Sequence, residues 1–146
     1  MRTLLGVAMT IPLCWVSAAY GSGDYDTLAD KTLKAFRCAK YAEMADVATQ
    51  RDRLFQIAMD AGADTLKSMR EQSVTEDSIT NKNSAAAVVV TVVAKYHQSD
   101  DFILGRLFER SSRVALKIFE KGPPDTLGEY QKIARGQFDK EKCDQI

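Results

Sequence analysis

The side chains with a capacity for chemistry are few, and their spacing excludes more than it invites. The chain has a single histidine, His97, which lies beside Lys95 and Gln98 at the end of an expected helix. A histidine base needs an orienting carboxylate and a nucleophile, and no recognisable set surrounds this one. An imidazole interacting with a helix dipole, or simply solvated, accounts for it. Zinc sites of the usual kind take several His or Cys ligands, and only His97 remains once the cysteines pair as argued below. Carboxylate-bridged metal bundles use Glu-x-x-His, which is absent, as are a glycine-rich phosphate loop and a G-x-S-x-G turn. No cofactor and no metal are expected, and no catalytic residue is assigned.

Paired acids are the remaining route to catalysis, because two carboxylates alone can hydrolyse glycosides. The candidates are Asp60 with Asp64, one helical turn apart, and Asp100 with Asp101. Asp60 and Asp64 fall opposite the apolar stripe of their helix, together with Lys67 and Glu71, which makes a solvated mixed-charge face. Asp100 and Asp101 follow Ser99 and read as acids at a helix start. Neither pair is desolvated enough in this reading to raise a pKa.

The most polarised pattern is basic. Arg106, Arg110, Arg113, Lys117 and Lys121 recur at i, i+4, i+7, i+11 and i+15. On a helix they share a strip roughly 80° wide, opposite Leu104, Phe108 and Ala115. One reading is a solvated outer face, with Glu109 and Glu120 offsetting part of the charge. The other is an electrostatic docking ridge for an acidic partner surface or for anionic envelope polymers.

Helices must position these residues. Leu28, Leu33, Phe36, Met44 and Val47 share one face of a first helix from about Thr27 to Ala48. Cys38 projects almost opposite that stripe, with Ala35, Tyr41 and Ala42, so a disulfide there would strap the tail across the outside of the helix. Thr49 is the expected N-cap of a second helix, about Asp52 to Gln72, with an apolar stripe of Leu54, Ala58, Gly62, Leu66 and Met69. Gly62 costs about 1 kcal/mol relative to Ala, a cost that either reflects a close helix crossing or is simply tolerated.

Ser73 to Ser84 is polar. Ala85 to Ala94 reads AAAVVVTVVA, and although valine favours strands, no other segment offers a strand to pair with. A buried central helix is expected there. Ser99 caps the next helix, whose apolar face is Ile103, Leu104, Leu107, Phe108, Ala115, Ile118 and Phe119, and Gly122 with Pro123 and Pro124 ends it. A last helix from about Thr126 carries Leu127, Tyr130, Ile133, Ala134 and Phe138 on one side, followed by a charged tail from Lys140 to Ile146.

Composition places these helices in one ordinary domain. The chain has 146 residues, 45% of them hydrophobic, with 20 basic and 20 acidic residues and a formal net charge of zero. That balance argues against a disordered tail and against a basic nucleic-acid binder. Residues 1–19 have the parts of a cleaved signal peptide: Arg2, an apolar stretch from Leu4 to Val16, and small residues at Ser17, Ala18 and Ala19. The stretch is too short to span a bilayer, as is Ala85 to Ala94, so no membrane span is expected after cleavage. Residues 20–146 are then the helical domain, placed in the periplasm or secreted. Cys14 leaves with the leader, and the two remaining cysteines suggest one disulfide, Cys38–Cys143, in an oxidising compartment.

At Asp101-Phe102-Ile103-Leu104-Gly105-Arg106, and again at Cys143-Asp144, the chain resembles a group of small exported bacterial and prophage-associated helical proteins. Those carry a cysteine in Ala-rich sequence on an early helix, here Cys38-Ala39-Lys40-Tyr41-Ala42, and another cysteine near the end. The resemblance implies a helical fold and a terminal disulfide, and nothing catalytic. In general plan the chain is also similar to periplasmic immunity proteins that block cell-wall amidases of type VI secretion.

The expectation is therefore an all-α bundle of about five helices with one disulfide. It would act without catalysis by binding another macromolecule, as an inhibitor or immunity factor for an envelope-acting enzyme. Arg106, Arg110, Arg113, Lys117 and Lys121 would supply the electrostatic contact with a protein partner. The alternatives are a carboxylate-dependent envelope hydrolase using Asp60 and Asp64, and a carrier of a small apolar ligand held between helices.

Overall fold

A computed structural model describes residues 24–120, 122 and 124–146. The expected signal peptide, Cys14, Lys121 and Pro123 lie outside the described residues. Five α-helices follow one another: α1 Asp24–Met44, α2 Ala48–Glu71, α3 Ala85–Tyr96, α4 Asp100–Leu116 and α5 Leu127–Lys140. Short 3-10 turns at Lys117–Phe119 and Cys143–Gln145 complete the order, and the described residues contain no strand. The all-α bundle with one disulfide is the fold this chain adopts.

The central helix is α1, not the valine-rich α3. Each of the other four helices packs against α1, and Ala29, Ala35, Ala39 and Ala42 on it are fully buried or nearly so. Alanine lets neighbouring backbones approach from several sides, so a helix with small residues around its circumference can be surrounded. The segment Ala85–Ala94 is helical but peripheral. It packs chiefly on α1 and α4, burying Ala86, Val89, Val90 and Val92 and leaving Thr91 and Val93 exposed.

Why that valine run becomes a helix is visible at its start. The Ser84 hydroxyl accepts from the Ala87 N–H at 3.2 Å, and the Asp26 carboxylate, reaching over from α1, accepts from the Ala86 N–H at 3.1 Å. Two N–H groups that a helix start leaves unpaired are thus satisfied, one of them by another helix.

Gly62 sits where three helices meet. A Cβ there would lie 2.4 Å from Leu104 Cδ2 of α4 and 3.2 Å from Thr32 Cγ2 of α1. Beside it, Thr32 and Thr65 are buried with their hydroxyls 3.3 Å apart, and each donates to a carbonyl one turn back in its own helix, Leu28 and Ala61. Of the two readings of Gly62, the close helix crossing is the one present.

Helix ends depart from expectation in two places. Thr49 does not cap α2; the helix begins at Ala48 with Val47 at the cap position and no side-chain bond. The backbone closes this turn instead, with Asp46 at φ 59° and the Val47 N–H donating to the Ala42 carbonyl at 2.9 Å. At the far end α4 stops at Leu116 and tightens into the 3-10 turn, short of Gly122, which has φ 131°. In α5 only Ala134 and Phe138 of the expected face are buried, whereas Leu127 is 71% exposed and Ile133 38%. This helix packs chiefly against α1 and the tail, so one narrow stripe suffices to dock it.

The core divides along α1. One lobe joins Phe36, Leu66, Val89, Leu104 and Leu107, and the other joins Tyr41, Leu54, Ala115, Phe138 and the disulfide.

Candidate functional site

The second lobe holds the disulfide and shows what it does. Cys38 and Cys143 are bonded, with Cα atoms 5.5 Å apart, and both are fully buried. The expected strap across the outside of α1 is corrected: the face carrying Ala35, Cys38, Tyr41 and Ala42 is interior, because α1 is enclosed on that side too. The tail is held by polar contacts as well. Glu141 accepts from Arg37 Nε at 2.9 Å, from Gln137 at 3.0 Å and from the Tyr41 hydroxyl at 3.1 Å. Burial opposes ionisation of Glu141, yet the hydrogen bonds from Arg37 and Gln137 and the Arg37 charge outweigh it, holding its carboxyl below the usual value. Tyr41 is pushed up to about 12 by burial and by the charge of Glu141. Arg53 adds donors to the Cys143 and Ile146 carbonyls at 3.3 and 3.4 Å.

Arg106, Arg110 and Arg113 of the basic ridge lie on α4 and Lys117 on the 3-10 turn that follows it, and these members are not equivalent. Arg106 is tied down. It donates to the Tyr96 hydroxyl of α3 at 2.7 Å, its guanidinium carbon is 4.9 Å from that ring's centroid, and it pairs with Glu109. Glu109 also pairs with Arg113, so one carboxylate bridges two cations a helical turn apart on either side. The Arg113 hydrogen bond, followed by the Arg106 charge, holds the Glu109 carboxyl below its usual value. The Arg106 bond likewise lowers the Tyr96 phenol. Arg110 and Lys117 are exposed and have no carboxylate at ion-pair distance among the described residues.

Packing α3 beside α4 adds what the ridge alone lacked. Thr91, Val92, Lys95 and Tyr96 face Arg106, Glu109, Arg110 and Arg113 across a groove of about 240 Å³. Four cations, a phenol and one carboxylate therefore line the groove, and two of the cations, Arg106 and Arg113, pair with that carboxylate. Three exposed apolar side chains of α4 stand close in sequence to the ridge: Phe102, Val114 and Leu116, each 43% exposed. Lys95 and Tyr96 escaped the sequence reading of the ridge because they come from a different helix. The signal for them was only that a short connection joins α3 to α4.

No family model, curated protein or solved structure matches this chain.

The other candidates fall on solvent-facing positions. Asp60 and Asp64 are exposed, and Asp60 accepts from Gln56 at 2.8 Å, one turn back on the same helix. A hydrolytic pair needs one desolvated acid, and this pair does not supply it. Asp100 does more than start a helix: it receives both arms of Arg70, at 2.7 and 2.9 Å, which ties the end of α2 to the start of α4. The Arg70 bond holds the Asp100 carboxyl below its usual value. Asp101 is exposed in the same first turn. His97 is exposed at the C-terminal end of α3, with φ 46° and its N–H donating to the Val93 carbonyl. Among the described residues no group of three or more His, Cys, Asp or Glu is arranged to hold a metal ion, and no helix is long and apolar enough to cross a membrane.

A second concavity lies between helices, where the carrier alternative would place a ligand. A cleft of about 660 Å³ opens between the end of α2, the connection to α3, α3 itself and the start of α4. Leu66, Met69, Val90 and Ile103 lie at its base, and the Arg70–Asp100 pair lines it too.

Proposed function

We propose that this protein acts by binding the acidic surface of another protein outside the cytoplasm, without catalysis, through the face formed by α3 and α4. The most concrete version is an inhibitor or immunity factor for an envelope-acting enzyme. Export through a leader at residues 1–19, and residence in the periplasm or outside the cell, belong to the same reading. The observation that carries it is the α3–α4 groove, which is lined by four cations, Lys95, Arg106, Arg110 and Arg113, and one carboxylate, Glu109. Arg106 is preorganised by Tyr96 and Glu109, which lowers the entropy lost when it contacts a partner. Arg110 and Lys117 offer charge that no neighbour among the described residues neutralises. Phe102, Val114 and Leu116 supply apolar contact area next to it, in keeping with interfaces that combine arginine with exposed hydrophobic anchors. Lys121 extends the ridge in the sequence.

The test compares capture by three forms of the oxidised protein from an extracytoplasmic extract. Wild type and a control reversed outside the α3–α4 groove, Asp60→Lys with Asp64→Lys on α2, should retain the same protein. Arg110→Glu with Arg113→Glu should weaken that retention about tenfold or more, and the wild-type complex should weaken with added salt. Equal retention by all three forms, or capture of an anionic polymer in place of a protein, would overturn the reading.

A further inference from the structure

The cleft on the other flank of α3 has the chemistry of a small-molecule site. Its volume of about 660 Å³ falls inside the roughly 300–1,000 Å³ typical of ligand pockets. Leu66, Met69, Val90 and Ile103 form a floor whose side chains are almost fully buried, and Val93, 37% exposed, stands at the wall. That packed base exposes little hydrocarbon of its own, and Val93 with the half-buried Val74 and Ala94 presents the surface that favours an apolar body, because covering it removes hydrocarbon from water on both partners.

The charge of the cleft selects the other end of the ligand. Glu76, Asp77 and Asp100 line it against one cation, Arg70, and that guanidinium is committed to both oxygens of Asp100. Glu76 and Asp77 therefore face the cleft without a cation of its own lining to answer them. Lys82 lines a neighbouring depression that Glu76 and Asp77 also border, but its ammonium is bonded to the main-chain oxygen of Glu76 and pairs with neither carboxylate among the described residues. An anion entering the cleft would meet two like charges. A cation would meet two opposite ones.

The way the cleft is built sets it apart from accidental roughness. The connection from α2 to α3 spans 72–84 and has no helix of its own, and it forms the acidic side of the opening. Connections of this length are uncommon within small bundles, and they tend to carry function when present. Its entry is bent sharply: Ser73 has φ 51°, a left-handed conformation that side-chain-bearing residues seldom adopt, and the Val74 N–H closes the turn onto the Met69 carbonyl at 2.9 Å. The Thr75 N–H and carbonyl are both bonded to the Ser78 hydroxyl, which fixes the stretch bearing Glu76 and Asp77. On the opposite side the Arg70–Asp100 pair fastens α2 to α4. The acidic lip and the apolar floor are thus held in place from both ends.

We propose that this cleft binds a small amphiphilic cation, an apolar body against Val74, Val93 and Ala94 over the packed base, with an ammonium group between Glu76 and Asp77. The site lies across α3 from the groove of the docking face, so the two readings stand or fall separately.

Three probes of equal chain length and different charge test it: octylammonium, octanol and octanoate, each titrated below micelle formation into the purified disulfide-bonded protein. Calorimetry should show one saturable site, filled by octylammonium about fivefold more tightly than by octanoate, with octanol between them. Methyl resonances of Val74, Val93 and Ala94 should shift in all three titrations. Glu76→Gln with Asp77→Asn, two exposed changes, should bring the three affinities together while the methyl shifts persist. Ala94→Trp, which fills the cleft wall, should abolish binding of all three. The methyl map of the wild-type protein decides the location even where that variant is unstable. Absence of saturable binding, octanoate binding as tightly as octylammonium, or shifts confined to other methyl groups would each overturn the proposal.

Discussion

Glu141 shows how much a single side chain can change meaning between a linear pattern and a folded one. In the sequence it is one charge in a charged tail. In the structure it receives Arg37, Gln137 and Tyr41 and ties the tail to α1 beside the disulfide. Its folded pKa lies below the ordinary glutamate value of 4.5, so the stabilisation is present above that pH and is lost as pH falls through the lower folded value. Glu141→Gln should cost about 1–2 kcal/mol at neutral pH, the scale of a charge-assisted hydrogen bond. The gap in unfolding midpoint between variant and wild type should then narrow below about pH 4.5. A gap that stays constant through that range would contradict the network. Arg106 and Arg110 make the same point from the other direction. Both fall on the expected strip, yet Arg106 is committed to Tyr96 and Glu109 whereas Arg110 is free of any ion pair among the described residues.

Elements were legible where their apolar period was strong. The stripe of α2, from Leu54 through Ala58, Gly62 and Leu66 to Met69, is buried at every one of those positions. The cap expected at Ser99 is present and the one expected at Thr49 is not, because backbone turn closure took over the role there. The centrality of α1 was not legible, because burial depends on how many neighbours a helix acquires and not on its own hydrophobicity alone. Gly62 permits the crossing that encloses α1. Gly62→Ala should destabilise by about 1–2 kcal/mol: the clash with Leu104 costs on the order of 1–3 kcal/mol, and the gain in helix propensity returns less than about 1 kcal/mol. Chemical denaturation gives the sign directly. A stabilised Ala variant would mean that Leu104 and Thr32 yield easily at this crossing.

At the scale of the whole molecule, the disulfide joins the middle of the central helix to the last few residues, 105 positions apart. Closing so long a loop restricts the unfolded chain heavily, and the bond is buried within the second core lobe. Replacing both cysteines by alanine should cost about 2–5 kcal/mol, read as a lower denaturant midpoint against the oxidised wild type. A loss below about 1 kcal/mol would show that α5 and the tail hold without the bond. The same enclosure separates the surface into regions of different charge. The chain as a whole is neutral, yet one flank of α3 faces four cations and the other faces Glu76 and Asp77. Overall charge therefore says little about either face.

By itself the sequence determined that the chain is helical, where most helices run, and that two distant cysteines are available to pair. Those properties follow from local period, from turn residues and from which residue types occur. Only the tertiary structure decided that α1 is the enclosed helix, that Cys38 faces inward, and that Lys95 and Tyr96 join the ridge on α4. It also decided that Leu127 and Ile133 stay outside and that a cleft opens beside α3. The physical reason is common to all of these. A helical period says which residues share a face, whereas contact requires a second element at a specific distance, and that distance is set by small residues such as Gly62 and the alanines of α1 at crossings between segments far apart in the chain.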